Sequence, residues 1–356
     1  MLWDVFCRVV DNWGDIGVGW RFACDVASRG ERVRLWIDDP SALAWMAPDG
    51  AAGVEVIEWH AATPLREPGD VVVELFGCDP PPAFVERMRR AKPPLWIDLE
   101  YLSAEPYVER SHGLPSPQQA GPGAGLTRWF FYPGFTAATG GLIRERGVPD
   151  ARRCFDRDAW FAAHGIVPRA GEQVVSLFCY DNAALPALLE ALARTPTLLL
   201  VTPDHAARQV RAVLGTASAR GALRVHWLPW LTQPGYDRLL WACDLNFVRG
   251  EDSFVRAQWA ARPFVWHIYP TDDNAHWVKL AAFLARYTAG MDRAHAVKVT
   301  ALWEAWNGGE ALARAWPAFD AALPVAAAHA EEWAARLALR PDLATQLVRF
   351  TDNVLK

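Results

Sequence analysis

The chain has no run of eighteen or more apolar residues, although 52% of it is hydrophobic, so no membrane span is expected. It also lacks a dominant charge of either sign. Its 36 Lys and Arg are interspersed among 41 Asp and Glu, leaving a net charge of −5, which argues against tight binding to a nucleic-acid backbone. The six cysteines, Cys7, Cys24, Cys78, Cys154, Cys179 and Cys243, form no C-x-x-C pair. Buried free thiols are therefore expected rather than disulfides or a zinc site. Nine histidines supply no H-E-x-x-H, so no metal site is expected either. The opening residues read as a strand at once, without a basic stretch, an apolar segment and a small-residue cleavage site. The expectation is a cytoplasmic protein with neither nucleic acid nor membrane as partner.

What the chain has in plenty is tryptophan, 19 in all. Trp160, Trp241, Trp277 and Trp333 fall on helical apolar faces and read as core. Trp13 and Trp230 fall at loop or strand ends, where an aromatic faces either the core or a ligand.

The most informative stretch opens the chain. An apolar run, residues 5–10, delivers Asp11 and Asp15 into a turn carrying Gly14, Gly17 and Gly19. An amphipathic helix over about 16–28 and a second apolar run, 33–37, complete a strand, turn, helix, strand unit. The two carboxylates then lie beyond the strand's carboxyl end, where open α/β sheets bind ligands. A dinucleotide fingerprint is the competing reading, and Asp38 does end the second strand. The glycines, however, read G-x-x-G-x-G rather than G-x-G-x-x-G, and an anionic Asp15 would repel a pyrophosphate at that helix's start. An NAD-type oxidoreductase is the weaker reading.

Further strands are read at 54–59, 71–76 and 95–99, the last ending in Asp98 and Glu100, with a helix from Pro82 through 90. A Gly/Pro/Ser-rich loop, 113–125, is long enough to be functional or mobile. Residues 139–172 turn polar and read as the crossing between domains. The strand rhythm restarts at 174–180, 197–202, 223–228, 245–248 and 264–269, and the end of the chain reads as helices only. The alternation implies an α/β protein of two doubly wound, mostly parallel sheets facing each other across a ligand cleft. The domains are placed at 1–171 and 172–338, with a C-terminal helix, 339–356, expected to return to the first.

Three further stretches invite a chemical reading. Residues 247–256 pass from strand to helix: Asp252 or Ser253 is placed to cap that helix, whose exposed N–H groups suit a phosphoryl group. Arg249 adds a guanidinium able to hold phosphate oxygens in bidentate fashion, and Glu251 an acceptor for sugar hydroxyls. An ordinary capped helix with a surface ion pair is the alternative. In 176–182, Phe178 and Tyr180 alternate on one strand face, either enclosing a flat base or packing in the core; Tyr269, before Pro270, has the same ambiguity. Asp156-Arg-Asp158 has the form of a metal-holding D-x-D, but it precedes a helix, and Asp158 reads as its N-cap.

Five motifs in order, residues 9–17 (V-V-D-N-W-G-D-I-G), 131–135 (F-Y-P-G-F), 177–180 (L-F-C-Y), 249–254 (R-G-E-D-S-F) and 268–270 (I-Y-P), resemble the bacterial protein-arginine rhamnosyltransferases that modify translation elongation factor P. The resemblance spans essentially the whole chain. It implies a GT-B glycosyltransferase that uses dTDP-β-L-rhamnose, needs no metal or other cofactor, inverts the anomeric centre and attaches the sugar to an arginine nitrogen. It puts catalytic roles on Asp11, Asp15 (the general base) and Glu251. Substrate-binding roles fall on Asn12, Gly14, Phe178, Tyr180, Trp230, Arg249, Asp252, Ser253 and Tyr269. Trp13, Trp230 and Thr271 depart from the residues expected there. A reading from another class is a non-catalytic nucleotide-sugar sensor on the same fold, which would need only the second domain's pocket.

Overall fold

The opening apolar run folds as β1 (Leu2–Cys7), with Trp3, Val5 and Cys7 in one core and Phe6 in another, on the sheet's opposite face. Burial on both faces is what a central parallel strand requires. The structure is a computed structural model describing residues 1–11, 13–60, 63–309 and 311–355. The strand stops at Cys7 rather than at residue 10 because carboxylates take the next amides: Val9 N–H donates to Asp38 (2.9 Å) and Val10 N–H to Asp15 (2.8 Å). Asp38, noted above as the acid ending the second strand, thus serves the first turn's backbone.

The chain divides into two units, Met1–Arg146 with Ala338–Lys356, and Gly147–Leu337. In the first, β1 is joined by β2 (Arg32–Ile37), β3 (Val54–Glu58), β4 (Val71–Leu75), β5 (Leu95–Leu99), β6 (Pro115–Pro117) and β7 (Thr127–Phe131). The order is β3-β2-β1-β4-β5-β7-β6. Every pair is parallel except the edge pair β6–β7, so the loop expected at 113–125 in fact contributes a short edge strand. The order reverses direction between β1 and β4, the switch point at which such sheets bind ligands.

The second unit repeats the plan with β8 (Gln173–Leu177), β9 (Thr197–Val201), β10 (Ala219–Arg220), β11 (Leu223–Trp227), β12 (Leu245–Arg249) and β13 (Phe264–His267). Their order, β10-β11-β9-β8-β12-β13, puts the switch point between β8 and β12. β8 ends before Phe178, short of the expected 180. Beyond it, Gln209 replaces the ladder, donating to the Tyr180 carbonyl (3.0 Å) and accepting from Asn182 N–H (2.7 Å).

The division falls at Gly147 and not at 171. Two short helices, Val148–Arg153 and Arg157–Ala163, belong to the second unit. Within their polar sequence Trp160 and Phe161 pack with Val174 and Leu198, and Arg152 Nε donates to the Ala260 carbonyl at 2.9 Å. Asp156, not Asp158, is the N-cap of the second of these helices, accepting from Ala159 N–H at 2.9 Å. The C-terminal helix is Leu343–Leu355. Its Leu343, Ala344 and Leu347 enter the first unit's core, and Asp342 just before it accepts from Arg29 at 2.6 Å.

Trp160, Trp241 and Trp333 are buried, whereas Trp277, expected in the core, is half-buried. All six cysteines are free; Cys154 is exposed and Cys24 half-buried, and the other four are buried. Among the described residues no helix is long and apolar enough to cross a membrane.

Candidate active site

In the first unit, a tight turn leads from β1 into the helix Gly14–Ala27. Gly14 N–H donates to the Asp11 carbonyl at 2.6 Å, closing that turn. A Cβ at position 14 would stand 2.7 Å from Asp11 Oδ2, so any other residue there would displace that carboxylate. Gly19 serves a different end. A Cβ there would meet Leu75 at 3.1 Å and Cys7 at 3.5 Å, so its absence lets the helix lie close on the sheet.

Asp15, in the helix's first turn, is 3% exposed. Its Oδ2 accepts from the backbone N–H groups of Val10 and Asp11, both at 2.8 Å, and its Oδ1 from the Tyr101 hydroxyl at 3.3 Å. Burial pushes its carboxyl above the ordinary aspartate range. The two backbone donors pull it back, the Asp11 charge raises it further, and the Tyr101 hydroxyl lowers it. The result is a carboxylate of fixed orientation with enhanced basicity. Asp11 is half-buried beside it. Asn12 lies outside the described residues. Trp13 packs edge-on against Trp45, ring centroids 5.8 Å apart.

In the second unit the carboxyl ends of β8 and β12 meet at the switch point. Arg249, the last residue of β12, is 2% exposed. Its guanidinium carbon lies 4.6 Å from the ring centroids of both Phe178 and Tyr180. The two rings therefore lie against a cation, Tyr180 buried and Phe178 half-buried. Tyr269 meets Tyr180 edge-on at 5.4 Å and remains 46% exposed. His267, buried beside Tyr180, has its pKa pushed down to about 3, first by burial and then by the Arg249 and His276 charges. It is neutral at physiological pH and adds no second positive charge there.

Gly250, with φ +65, makes the turn that the R-G-E sequence needs, and its carbonyl accepts from Trp266 Nε1 at 2.9 Å. The helix Asp252–Ala260 follows. Its N-cap position is Glu251, whose side chain makes no capping hydrogen bond. Asp252 is the first helical residue, and the Ser253 hydroxyl donates to the Arg249 carbonyl. With Glu251 in that position, neither Asp252 nor Ser253 is the N-cap residue that the sequence suggested. Arg256, one turn on, is locked by a buried bidentate pair with Asp237 (2.9 and 2.7 Å), which anchors the helix. Trp230 follows β11 and is 43% exposed.

The structure thus gathers Asp11, Gly14 and Asp15 at one switch point, and Phe178, Tyr180, Arg249, Ser253 and Tyr269 at the other, with Glu251 and Asp252 at the start of the adjoining helix. Tyr101 beside Asp15, Phe76 stacked on Tyr101 and His267 beside Tyr180 were not among the expected residues. Each follows or ends a parallel strand at its carboxyl end, the one position signal that could have found them.

The profile of the family described as Elongation-Factor P (EF-P) rhamnosyltransferase EarP matches residues 3–352. The protein-arginine rhamnosyltransferase of Pseudomonas aeruginosa is 46% identical over 372 residues, covering 98% of each chain. That of Pseudomonas putida is 47% identical over 377 residues, covering 99% of each. Among solved structures, one concerned with EarP-mediated arginine glycosylation of translation elongation factor EF-P matches at TM-score 0.72 and 36% identity, covering 99% of both chains. The glycosyltransferase VinC, solved with DTDP, shares the fold at TM-score 0.56 and 13% identity, covering 99% of this chain and 100% of that one. The fold is the GT-B glycosyltransferase fold.

Proposed function

The chain belongs to the EF-P rhamnosyltransferase family and is a glycosyltransferase, and on that premise we propose that it moves L-rhamnose from dTDP-β-L-rhamnose to an arginine side chain of translation elongation factor P, in the cytoplasm, with inversion at the anomeric carbon. The observation that carries this reading is the pairing of Asp11 with a buried, backbone-held Asp15 on one turn. A nucleotide-sugar sensor would have no use for that pair.

Arginine is a poor nucleophile because its pKa lies above about 12 and its nitrogens share a delocalised charge. A carboxylate cannot remove that proton in the ground state. It can accept the proton late, as the N–C bond forms and the nitrogen's acidity rises. Asp15 takes this role: its Oδ2 is held by two amides, which fixes the direction in which Oδ1 points. Asp11 holds the guanidinium's fork and selects the reacting nitrogen. The bond that forms joins that nitrogen to the sugar's C1, and the bond that breaks joins C1 to the β-phosphate oxygen. The proton goes to Asp15, and dTDP departs with the electron pair.

The donor belongs to the second unit. Arg249 and the start of the helix Asp252–Ala260 take up charge developing on the diphosphate, with Glu251 set for sugar hydroxyls. Phe178 and Tyr180 hold Arg249, leaving Tyr269 and Trp230 as the exposed rings for the base. These groups stabilise the leaving group without a divalent ion. Excess chelator should leave turnover intact; complete loss, restored by magnesium, would defeat that part. Inversion is tested by the anomeric configuration of the product read by NMR. An α-rhamnosyl arginine supports it, and a β product contradicts it.

A further inference from the structure

We propose that Tyr101 is a positioning residue for Asp15, holding the carboxylate's outer oxygen in line for proton transfer; the inference rests on the transferase reading above. Three loops converge at the first unit's switch point. Asp15 follows β1, Phe76 follows β4 and Tyr101 follows β5, and these strands are neighbours in the sheet. The inner oxygen of Asp15 is fixed by two backbone amides, while the outer oxygen accepts from the Tyr101 hydroxyl at 3.3 Å. That separation is long for O–H···O, whose usual value is about 2.7–2.8 Å. The contact orients the oxygen before a guanidinium arrives.

The tyrosine is held by a support the chain maintains at some expense. Its ring stacks on Phe76 with centroids 4.0 Å apart and planes 7° from parallel. Phe76 itself sits at φ +59, in the left-handed region that non-glycine residues rarely adopt. Its N–H donates to the Leu99 carbonyl at 2.8 Å, and Gly77 continues the turn at φ +62. The turn at Phe76 sets its ring against Tyr101. Tyr101 is 39% exposed and Asp15 3%, so their part-buried contact links a buried carboxylate to a residue that solvent reaches.

Tyr101→Phe removes the hydroxyl and keeps the stacked ring. With EF-P and dTDP-rhamnose, kcat should fall roughly tenfold, the worth of a hydrogen bond to a charged group. The acid limb of the kcat/KM profile should move to higher pH, and dTDP affinity by calorimetry should stay unchanged. A merely structural role would move the affinity or the melting temperature but not the pH profile. Asp15→Asn is assayed in parallel. Loss of turnover in Asp15→Asn beside a wild-type profile in Tyr101→Phe overturns the Tyr101 inference alone. Retained turnover in Asp15→Asn removes the base assignment, and the Tyr101 inference falls with it.

Discussion

The guanidinium carbon of Arg249 lies 4.6 Å from the ring centroid of Tyr180, with Phe178 at the same distance. This clamp sets a planar cation at the end of β12, where the helix Asp252–Ala260 begins. Arg249→Ala should weaken dTDP binding by about tenfold to a hundredfold, the range for losing a charge-assisted contact. Arg249→Lys should recover little of it, because an ammonium has no planar face for the rings and cannot form a bidentate pair. Calorimetry checks both; an unchanged dissociation constant for dTDP in Arg249→Ala contradicts the assignment.

Asp15 is raised by burial, and it must be ionised to accept a proton. Activity is therefore lost as pH falls through a value above the ordinary aspartate pKa of about 3.9, and it is complete above that value. The kcat/KM profile should show this acid limb, and Asp15→Asn should lower kcat by about two orders of magnitude or more without changing dTDP affinity. An acid limb at or below the ordinary aspartate value would mean that a different group titrates.

Gly14→Ala tests whether room beneath Asp11 matters. The glycine's φ is not in the left-handed region, so alanine fits the backbone, and its helix propensity is about 1 kcal/mol better. The new methyl group would nonetheless stand 2.7 Å from Asp11 Oδ2 and push the carboxylate aside. Turnover should fall at least tenfold or so with no loss of melting temperature. Wild-type turnover would show that the position of Asp11 is not critical.

Much of this was legible in the sequence, and what was not has physical causes. Parallel strands buried on both faces read as apolar runs, which is why β4 and β5 could be placed almost to the residue. Strand ends were misread where side chains take over the ladder: Asp38 and Asp15 at β1, Gln209 at β8. The domain boundary was misplaced because Trp160 and Phe161, buried among second-unit residues, sit in an otherwise polar stretch. The placement of Asp11 and Asp15 beyond the end of β1, and of Arg249 at the end of β12, was legible from the apolar runs. The contact of Phe178 and Tyr180 with Arg249 was not, because no sequence spacing reveals that an arginine of the same unit lies against both rings. Tyr101 was missed because its link to Asp15 spans three strands.

Away from the site, β4 and β5 bring Glu74 opposite Asp98 in register, both buried, with Arg128 donating to Glu74 at 2.7 Å. Burial, and then the Asp98 charge, push the Glu74 pKa up to about 8; burial first raises Asp98 to about 6. The raised folded value means that folding takes up a proton between the unfolded pKa near 4.5 and about 8. Stability is then highest below that window and falls as pH rises through it, at up to about 1.4 kcal/mol per pH unit for each proton. Glu74→Gln keeps an acceptor for Arg128 and removes the titration. Its melting temperature should vary less with pH between 5 and 8 than that of the wild type. Equal slopes would place the pH dependence elsewhere.

The central claim is transfer of a deoxyhexose to an arginine, driven by the carboxylates of the first turn. The most direct measurement incubates the intact chain with dTDP-rhamnose and EF-P, then weighs the acceptor by mass spectrometry. The account predicts a gain of one deoxyhexose on one arginine with the wild type and none with Asp15→Asn. An acceptor left unmodified by the wild type, with intact donor and folded acceptor present, would contradict it.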